Sequence, residues 1–442
     1  MVAAENNIIV AFELGSSAIR GVAGKREADG SIQILAVEQE RISGSIRRGT
    51  VYNINKTTNA ITRIKDRLNE RLGVYITRAY VGIAGQSLHT AGNKVIRACE
   101  TKEKMTQEVV DMLMDENRAV EYPDREILDV APQEYRLGID STADPIGIQA
   151  DRIEGRYLNI IARKSLQEDI RTCMRDAGLD IVELLITPLE LAKALLPDTE
   201  KRSGCALVDI GAETTTVAIF TKNILRHLVT LPLGGNNVTT DLANLKKMEM
   251  DEAESVKLKF GVAQVSADKM DSNRQIHISS NRNISEEELQ RITSARYDEI
   301  IANVWNQIGK DKWQNDLLSG VTLTGGGAAM QGLAEAFAKM KNFDPAKIKI
   351  AKQLLSSMQC VPSVDNSTIG FNAAIALLMS ATEGCVGEAP VQPDPEEIIE
   401  ETLSEAAETV QAEEREENPK SKKRGIFGRL VDFAKGMVED EE

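Results

Sequence analysis

Cysteine and histidine are scarce in this chain of 442 residues. The five cysteines, Cys99, Cys173, Cys205, Cys360 and Cys385, are far apart and odd in number, and no two have C-x-x-C spacing. That spacing argues against both a zinc site and a disulfide framework. Three histidines are too few for a histidine-rich metal site. No stretch approaches the ~20 continuous apolar residues that a membrane span needs. The start, Met1 to Asn7, has neither the basic region nor the apolar core of a signal peptide. The acidic balance suggests no nucleic-acid footprint, so no nucleic-acid partner is expected. These absences predict a cytoplasmic protein unless something attaches it to a surface.

What is present points to an ordinary globular body with an unusual tail. The length calls for two or more domains, and 42% hydrophobic with 27% charged residues is an everyday soluble composition. The net charge of −15 is uneven: Gly384 to Glu442 carries 17 acidic and 7 basic residues, two thirds of the excess. Residues 384–419 are rich in Pro, Glu, Gln and Ala and contain no aromatic residue. Such a composition cannot bury enough apolar surface to offset ordering entropy, so a disordered, self-repelling linker is expected there. From residue 420 the text turns basic and then amphipathic. Ile426, Phe427, Leu430, Val431, Ala434, Met437 and Val438 fall on one helical face, with Phe433 at its border. Lys420, Lys422, Lys423 and Arg424 precede that face. Bulky apolar residues beside cations suit insertion at an anionic lipid surface; the alternative is a helix docked back on the body.

Before about residue 382, short apolar strands alternate with amphipathic helical stretches, the pattern of an α/β protein. One motif occurs twice. Ile8 to Leu14 runs through Glu13 into Gly15-Ser16-Ser17, then a strand from Ala18 and another over Ile32 to Arg41. Cys205 to Ile210 runs through Asp209 into Gly211 to Thr214, then strands over Thr215 to Thr221 and Ile224 to Leu231. Two copies of strand, acid-x-Gly, strand, turn, strand predict two similar halves. Glycine lets donors approach a phosphate closely because it has no Cβ, and carboxylates ending the strands suit Mg²⁺. Both turns lead into strands, and no G-x-x-x-x-G-K occurs, which excludes a Walker A loop. A third element, Val321 to Thr324 and then Gly325-Gly326-Gly327, predicts a strand, a tight glycine turn and a helix over Ala328 to Lys341. As a Rossmann fingerprint it fails, since Met330 occupies the third glycine position.

Together these segments resemble the phosphate-1, phosphate-2 and adenosine motifs of the actin, Hsp70 and sugar-kinase superfamily. Ala253 to Lys257 resembles that superfamily's helix at the ribose and adenine. The resemblance implies an actin-like, duplicated ribonuclease-H-like α/β fold with two lobes around a nucleotide cleft, and ATP with Mg²⁺ as ligands. It implies that Gly15, Ser16, Ser17, Gly211, Thr214 and Thr215 hold phosphates. Gly325, Gly326, Gly327, Glu254 and Lys257 would hold adenosine, and Asp209, with Glu13, would hold Mg²⁺ through water. Glu13 stands where the superfamily usually has Asp. Thr187, in Ile186-Thr187-Pro188-Leu189-Glu190, stands where relatives often place Glu near the attacking water. Loss of general-base help, worth about 10²–10⁴-fold, makes nucleotide mainly a structural ligand and any ATPase weak.

Within the superfamily the sequence resembles the FtsA family of cell-division proteins. Residues 86–165, with Pro132-Gln133-Glu134-Tyr135 and the lead-in Val81 to Gln86, look like that family's inserted 1C subdomain. The resemblance divides the chain into 1A (1–85, 166–203 and a helix in 362–383), 1C (86–165), 2A (204–234 and 321–361) and 2B (235–320). The linker (384–419) and a membrane-targeting helix (420–442) follow. It implies a filament-forming peripheral protein at the division site, on the cytoplasmic face of the cell membrane. Its partners would be copies of itself, the tubulin-like FtsZ, other division proteins and anionic membrane lipid. A PilM-like pilus-assembly protein and a sugar or acetate kinase remain the alternatives.

Overall fold

The computed structural model describes residues 7–388 except 266–273, 280–281, 310–312, 352–353, 355–357 and 361–368. The unit Ala389–Glu442, and with it the membrane-helix residues Ile426, Phe427, Leu430, Val431, Phe433 and Met437 and nearly all of the linker, lies outside the described residues.

The first lobe is built on an antiparallel meander of β1 (Ile8–Leu14), β2 (Ala18–Arg26) and β3 (Ile32–Arg41). Its helix α1 (Ile54–Leu72) begins where Asn53 accepts a hydrogen bond from the Lys56 N–H and ends at Gly73 in a left-handed conformation (φ 66°). Ala60, Ile61, Ile64 and Leu68 form its buried stripe, and Gly21 lets the Ile64 side chain settle on β2, since a Cβ there would meet Ile64 Cγ2 at 2.5 Å. β4 (Arg78–Ile83) then pairs parallel to β1.

The chain next leaves the lobe for an inserted subdomain: β5 (His89–Lys104), α2 (Gln107–Arg118), β6 (Arg125–Leu137), β7 (Asp140–Thr142) and β8 (Gln149–Arg163). Pro132 to Tyr135 lies within β6, where the pairing with β8 shifts register beside Pro132, as a residue without an N–H demands. An amide chain, Asn93–Asn117–Asn159 with the Tyr122 hydroxyl, ties strands to helix inside it, with Asn117 and Asn159 fully buried. Helix α3 (Lys164–Asp176), strand β9 (Asp180–Ile186) parallel to β4, and helix α4 (Thr187–Leu195) complete this part of the first lobe.

The second lobe repeats the plan. β10 (Cys205–Ile210), β11 (Thr215–Thr221) and β12 (Ile224–Leu231) form the same antiparallel meander. α5 (Gly235–Lys246), α6 (Met250–Phe260), the hairpin β13 (Gln275–Ser279) and β14 (Arg282–Ser285), and α7 (Glu286–Gly309) follow. β15 (Gly320–Thr324) then pairs parallel to β10 as β4 does to β1. The duplication seen in the text is thus a duplication of topology.

Beyond β15 one expectation is corrected. The helix expected over Ala328 to Lys341 is split into a single 3₁₀ turn, Gly326–Ala329, and α8 (Leu333–Met340). Met330 is extended and Gly332 is left-handed (φ 77°), so the chain turns before the α-helix starts. β16 (Ile348–Ile350) closes the second sheet, β17 (Met358–Cys360) returns to pair parallel with β3, and α9 (Asn372–Ser380) packs against β1 and α4.

The sheet orders are β9-β4-β1-β2-β3-β17 and β7-β6-β8-β5-β12-β11-β10-β15-β16. The inserted subdomain therefore continues the sheet of the second lobe although its sequence interrupts the first. The join is polar: Thr90 Oγ1 bonds both the N–H and the carbonyl of Leu228, at 3.0 and 3.1 Å. Separate cores lie around Phe12 and Tyr80, around Trp305 and Tyr297, and around Tyr157.

Candidate functional site

Both acid-x-Gly hairpins end at one cavity of about 400 Å³ between the lobes. From the first lobe it is lined by Glu13, Gly15, Ser16, Ser17 and Arg20; from the second, by Asp209, Gly211, Thr214, Gly325, Gly326 and Gly327. Glu254 and Lys257 of α6 stand at one side. Every candidate named from the sequence meets here except two groups. Thr215 does not line the cavity: it is fully buried and its hydroxyl donates to the Leu233 carbonyl at 2.8 Å. The residues of the terminal helix lie outside the described residues.

Each turn is held from behind. Gly15 fits because a Cβ would meet Glu13 Oε1 at 2.6 Å and the Ala18 carbonyl at 2.9 Å. The Gly49 N–H donates to Ser16 Oγ at 2.9 Å, which leaves the Ser16 hydroxyl proton free to donate in turn. The second turn closes with Gly211 N–H on the Thr214 carbonyl at 2.8 Å. Its outer carbonyls, of Gly211 and Ala212, accept the first N–H groups of α5, from Gly235 (3.0 Å) and Asn236 (2.6 Å). Both cradles are therefore fixed before any ligand arrives, the arrangement that lowers the cost of binding.

The triglycine turn packs against the second acid. A Cβ on Gly325 would fall 2.5 Å from the Ile210 carbonyl and closer still to Asp209 Oδ1, at a left-handed φ of 84°. Nothing stands within 4 Å of the same position on Gly326, which opens onto the cavity. Tyr297 Oη holds the Gly327 carbonyl at 2.9 Å. With the α-helix starting only at Leu333, the wall here is a backbone turn rather than a helix end.

Lys257 is buried, and its ammonium is spent on Glu254 (2.6 Å), Thr239 Oγ1 (3.0 Å) and the Gly235 carbonyl (3.2 Å). The Thr239 hydroxyl also donates to Glu254. This cluster staples α6 to α5 and holds the Glu254 carboxylate, half-exposed, at the cavity edge.

The charges on the two acids differ. Glu13 is bound by Arg20, Nη1 to Oε2 at 2.7 Å. Asp209 has no such partner within its own hairpin; burial first, and the Glu13 charge second, push its carboxyl up to about 7, with Arg20 pulling the other way. A half-buried carboxylate facing a second negative group suits a cation, and Mg²⁺ needs only one or two acids beside water and phosphate oxygens. No cluster of three or more metal-ligating side chains occurs among the described residues.

Arg20 and the Arg48–Gly49 loop were not singled out in the sequence. Arg20 was findable: with the turn at Gly15 to Ser17, hairpin register places it opposite Glu13. The loop carried no local signal. Thr187 does line the cavity, at the start of α4 with Pro188 behind it, and is itself buried.

Comparison with known proteins agrees with this architecture. A family profile described as "Cell division protein FtsA" matches residues 206–368, and one described as "SHS2 domain inserted in FTSA" matches residues 85–161. Cell division protein FtsA of Porphyromonas gingivalis is 32% identical over 390 residues, covering 86% of this chain and 79% of that one. The chain belongs to the FtsA family. The Bacillus subtilis protein of that name is 29% identical over 334 residues, covering 74% of this chain and 75% of its own. Among solved structures, a "PilM-PilN type IV pilus biogenesis complex" chain superposes with a TM-score of 0.60 at 16% identity, over 84% of this chain and 97% of that one. That likeness establishes the fold, an actin-like one; the sequence relatives place the chain with cell-division proteins rather than pilus-assembly proteins or kinases.

Proposed function

We propose that the chain is an ATP-binding, filament-forming cell-division protein that tethers FtsZ filaments to the cytoplasmic face of the cell membrane through its terminal amphipathic helix. The observation that carries the nucleotide part is the meeting of two pre-built glycine cradles, from opposite lobes, on one cavity. In this reading, backbone N–H groups and hydroxyls of Gly15, Ser16, Ser17, Gly211 and Thr214 bind phosphate oxygens. Asp209 holds Mg²⁺ through water, which neutralises phosphate charge. Gly325 to Gly327 form one wall for the nucleoside, and Glu254, fixed by Lys257, meets the ribose from the other.

Turnover is slow in this reading. The carboxylates lining the cavity are Glu13, Asp209 and Glu254, the first tied to Arg20, the second assigned to the metal and the third stapled to Lys257. Thr187 supplies no base. Nucleotide then acts as the ligand that fixes one lobe against the other, as copies of the chain require for regular stacking.

No described helix is long and apolar enough to cross a membrane. Attachment falls to residues 420–442, where Ile426, Phe427, Leu430, Val431, Phe433 and Met437 supply apolar burial of about 1.5–3 kcal/mol per fully buried side chain. The neighbouring cations add about 1 kcal/mol each near anionic lipid. One helix binds reversibly, and a polymer multiplies the attachment.

The test has two arms. ATP titration of the full chain with Mg²⁺ gives saturable binding, lost in Asp209→Ala, with phosphate release far slower than binding. Pelleting with anionic vesicles retains the full chain and loses one ending before Lys420. Rapid phosphate release abolished by Asp209→Ala overturns the structural-ligand reading; unchanged pelleting after truncation overturns the tether.

A further inference from the structure

We propose that residues 381–387 are a load-bearing anchor, a strap clamped to the first lobe that takes up a pull on the tail before it reaches helix α9 and the cleft. The inference rests on the tether reading above and names the part of the body that carries the tether's load.

Helix α9 ends at Ser380, and the chain could leave the body there. Instead it stays bound for seven more residues, Ala381 to Gly387. Arg26 of β2 closes the helix, its Nη2 donating to the Met379 carbonyl at 2.6 Å and the Ala381 carbonyl at 2.9 Å. The Tyr80 hydroxyl oxygen, in β4, accepts two successive N–H groups, from Thr382 at 3.0 Å and Glu383 at 2.9 Å. Arg78 donates to the Gly384 carbonyl at 2.6 Å. Cys385 is fully buried, and its N–H donates to the Ile8 carbonyl at 2.7 Å. Its carbonyl accepts from the N–H groups of Thr77 (3.0 Å) and Arg78 (3.2 Å), and its Sγ from that of Val10 (3.3 Å). Val386 and Gly387 then pair antiparallel with Ile76 and Tyr75. A Cβ on Gly387 would meet Thr77 Oγ1 at 2.6 Å, so this pair is closely packed.

All of these partners belong to the first lobe. Residues 384–387, assigned to the linker on composition, are therefore part of the body. A backbone that only had to reach solvent would need none of these partners, because water would serve. The order along the strap suits a stop. A pull from beyond Gly387 first meets the pair with Tyr75 and Ile76. Behind it, moving Cys385 breaks three backbone bonds and empties a core position. Helix α9 is what such a stop would shield. Asn372 and Ala373, at its start, line the cavity. Asn372 Nδ2 donates to Thr324 Oγ1 and to the Ala351 carbonyl, at 3.1 Å each, which ties the helix to the end of β15. A pull passed along α9 would act on the cavity wall and on the joint between the lobes.

Single-molecule pulling on the full chain tests the anchor. One handle is joined after Glu442 and the other to a peptide tag inserted at Ile139, a fully exposed hairpin tip. In the native chain the tail stretches, and nothing more yields until a lobe unfolds. Tyr80→Phe removes the oxygen that takes two N–H groups. Its strap comes off first, in a separate step of ~25 Å for seven extended residues. Without load, the Thr382 and Glu383 amides of Tyr80→Phe exchange about 10- to 100-fold faster than in the native chain, while those of β1 are unchanged. Arg78→Gln loses bonds to Gly384 and Glu383 alone, gives the same early step, and keeps the test readable if Tyr80→Phe does not fold. A native chain that shows this step before a lobe unfolds overturns the anchor. So do variants whose force traces match the native one. A full chain that fails to bind anionic vesicles overturns the tether reading, and with it the source of the load, while the traces still report whether the clamp holds.

Discussion

In the first hairpin the acid at the strand end, Glu13, faces Arg20 across the ladder; in the second, Asp209 faces Thr216. The two meanders share strand order, turn chemistry and a parallel neighbour on the first strand. They differ in how the acid is compensated. Glu13 is paired within its own hairpin. Asp209 is hemmed in by Gly325 and lifted to about 7 by burial and by Glu13. The same geometry occurs twice, and the residue opposite the acid, Arg20 or Thr216, sets the charge separately. One hairpin is finished within the protein, and the other is left with a group that a cation would relieve.

The largest expected effect comes from filling the space beside Asp209. Gly325→Ala puts a Cβ into the Ile210 carbonyl and Asp209 at a left-handed φ, and costs about 3 kcal/mol or more. Gly326→Ala, one residue on, meets nothing within 4 Å and leaves stability within about 0.5 kcal/mol while narrowing the cavity. Chemical unfolding of the two variants measures the contrast. Equal losses would mean that the close approach of the triglycine turn to Asp209 is not what demands glycine.

Next come the two acids themselves, which respond with opposite sign. The Asp209 carboxyl titrates near 7 in the folded chain, above the ~4 of an unfolded one. The folded state therefore keeps a proton that the unfolded state sheds. This contribution to stability is complete below pH ~4 and lost as pH rises through 7. Without nucleotide, Asp209→Asn should stabilise the chain at pH 8 by about 1–3 kcal/mol, with the gain fading toward pH 4. Glu13→Gln instead leaves Arg20 without its counter-charge and destabilises by about 2 kcal/mol at pH 8. Melting curves across that pH range check both. A destabilising Asp209→Asn would remove the asymmetry on which the comparison stands.

The shared plan of the hairpins was legible in the sequence because its signals are local. Apolar runs, an acid two residues before glycine and turn residues at Asn223 or Gly30 mark strand ends without reference to the rest of the chain. The pairing of Glu13 with Arg20 lay one inference further on: counting register away from the turn would have found it, but Arg20 was not singled out. Two readings failed for physical reasons. The helix over Ala328 to Lys341 ignored Gly332, whose left-handed backbone ends one turn and begins another. Thr214 and Thr215 were taken together, yet Thr215 opens β11 with its side chain turned to the Leu233 carbonyl, away from the cavity. The join between the inserted subdomain and the second lobe was illegible, because Thr90 and Leu228 are far apart in the chain and neither is an unusual residue.

The smallest effect concerns what connects the two hairpins. Residues Arg48 and Gly49, both at positive φ, place consecutive N–H groups between the lobes. The Gly49 N–H goes to Ser16 of the first turn, and the Arg48 N–H goes to Glu213 of the second at 2.7 Å. Gly49 is pinned against Gly85, where a Cβ would meet the Gly85 Cα at 2.6 Å, so the loop cannot simply move aside. One exposed loop thus spans both cradles, and its Arg48–Glu213 hydrogen bond crosses from lobe to lobe. Glu213→Ala removes it. Stability should change by no more than about 0.5 kcal/mol, because the bond is exposed to water. Opening of the cleft should become easier by the same amount, about 0.5 kcal/mol or about twofold in rate. Stopped-flow release of a fluorescent ATP analogue reads that rate, and Glu213→Gln, which keeps an acceptor in place, should restore most of it. Release that is unchanged in Glu213→Ala would show that the lobes separate without breaking this bond, and that the two hairpins act on a nucleotide independently.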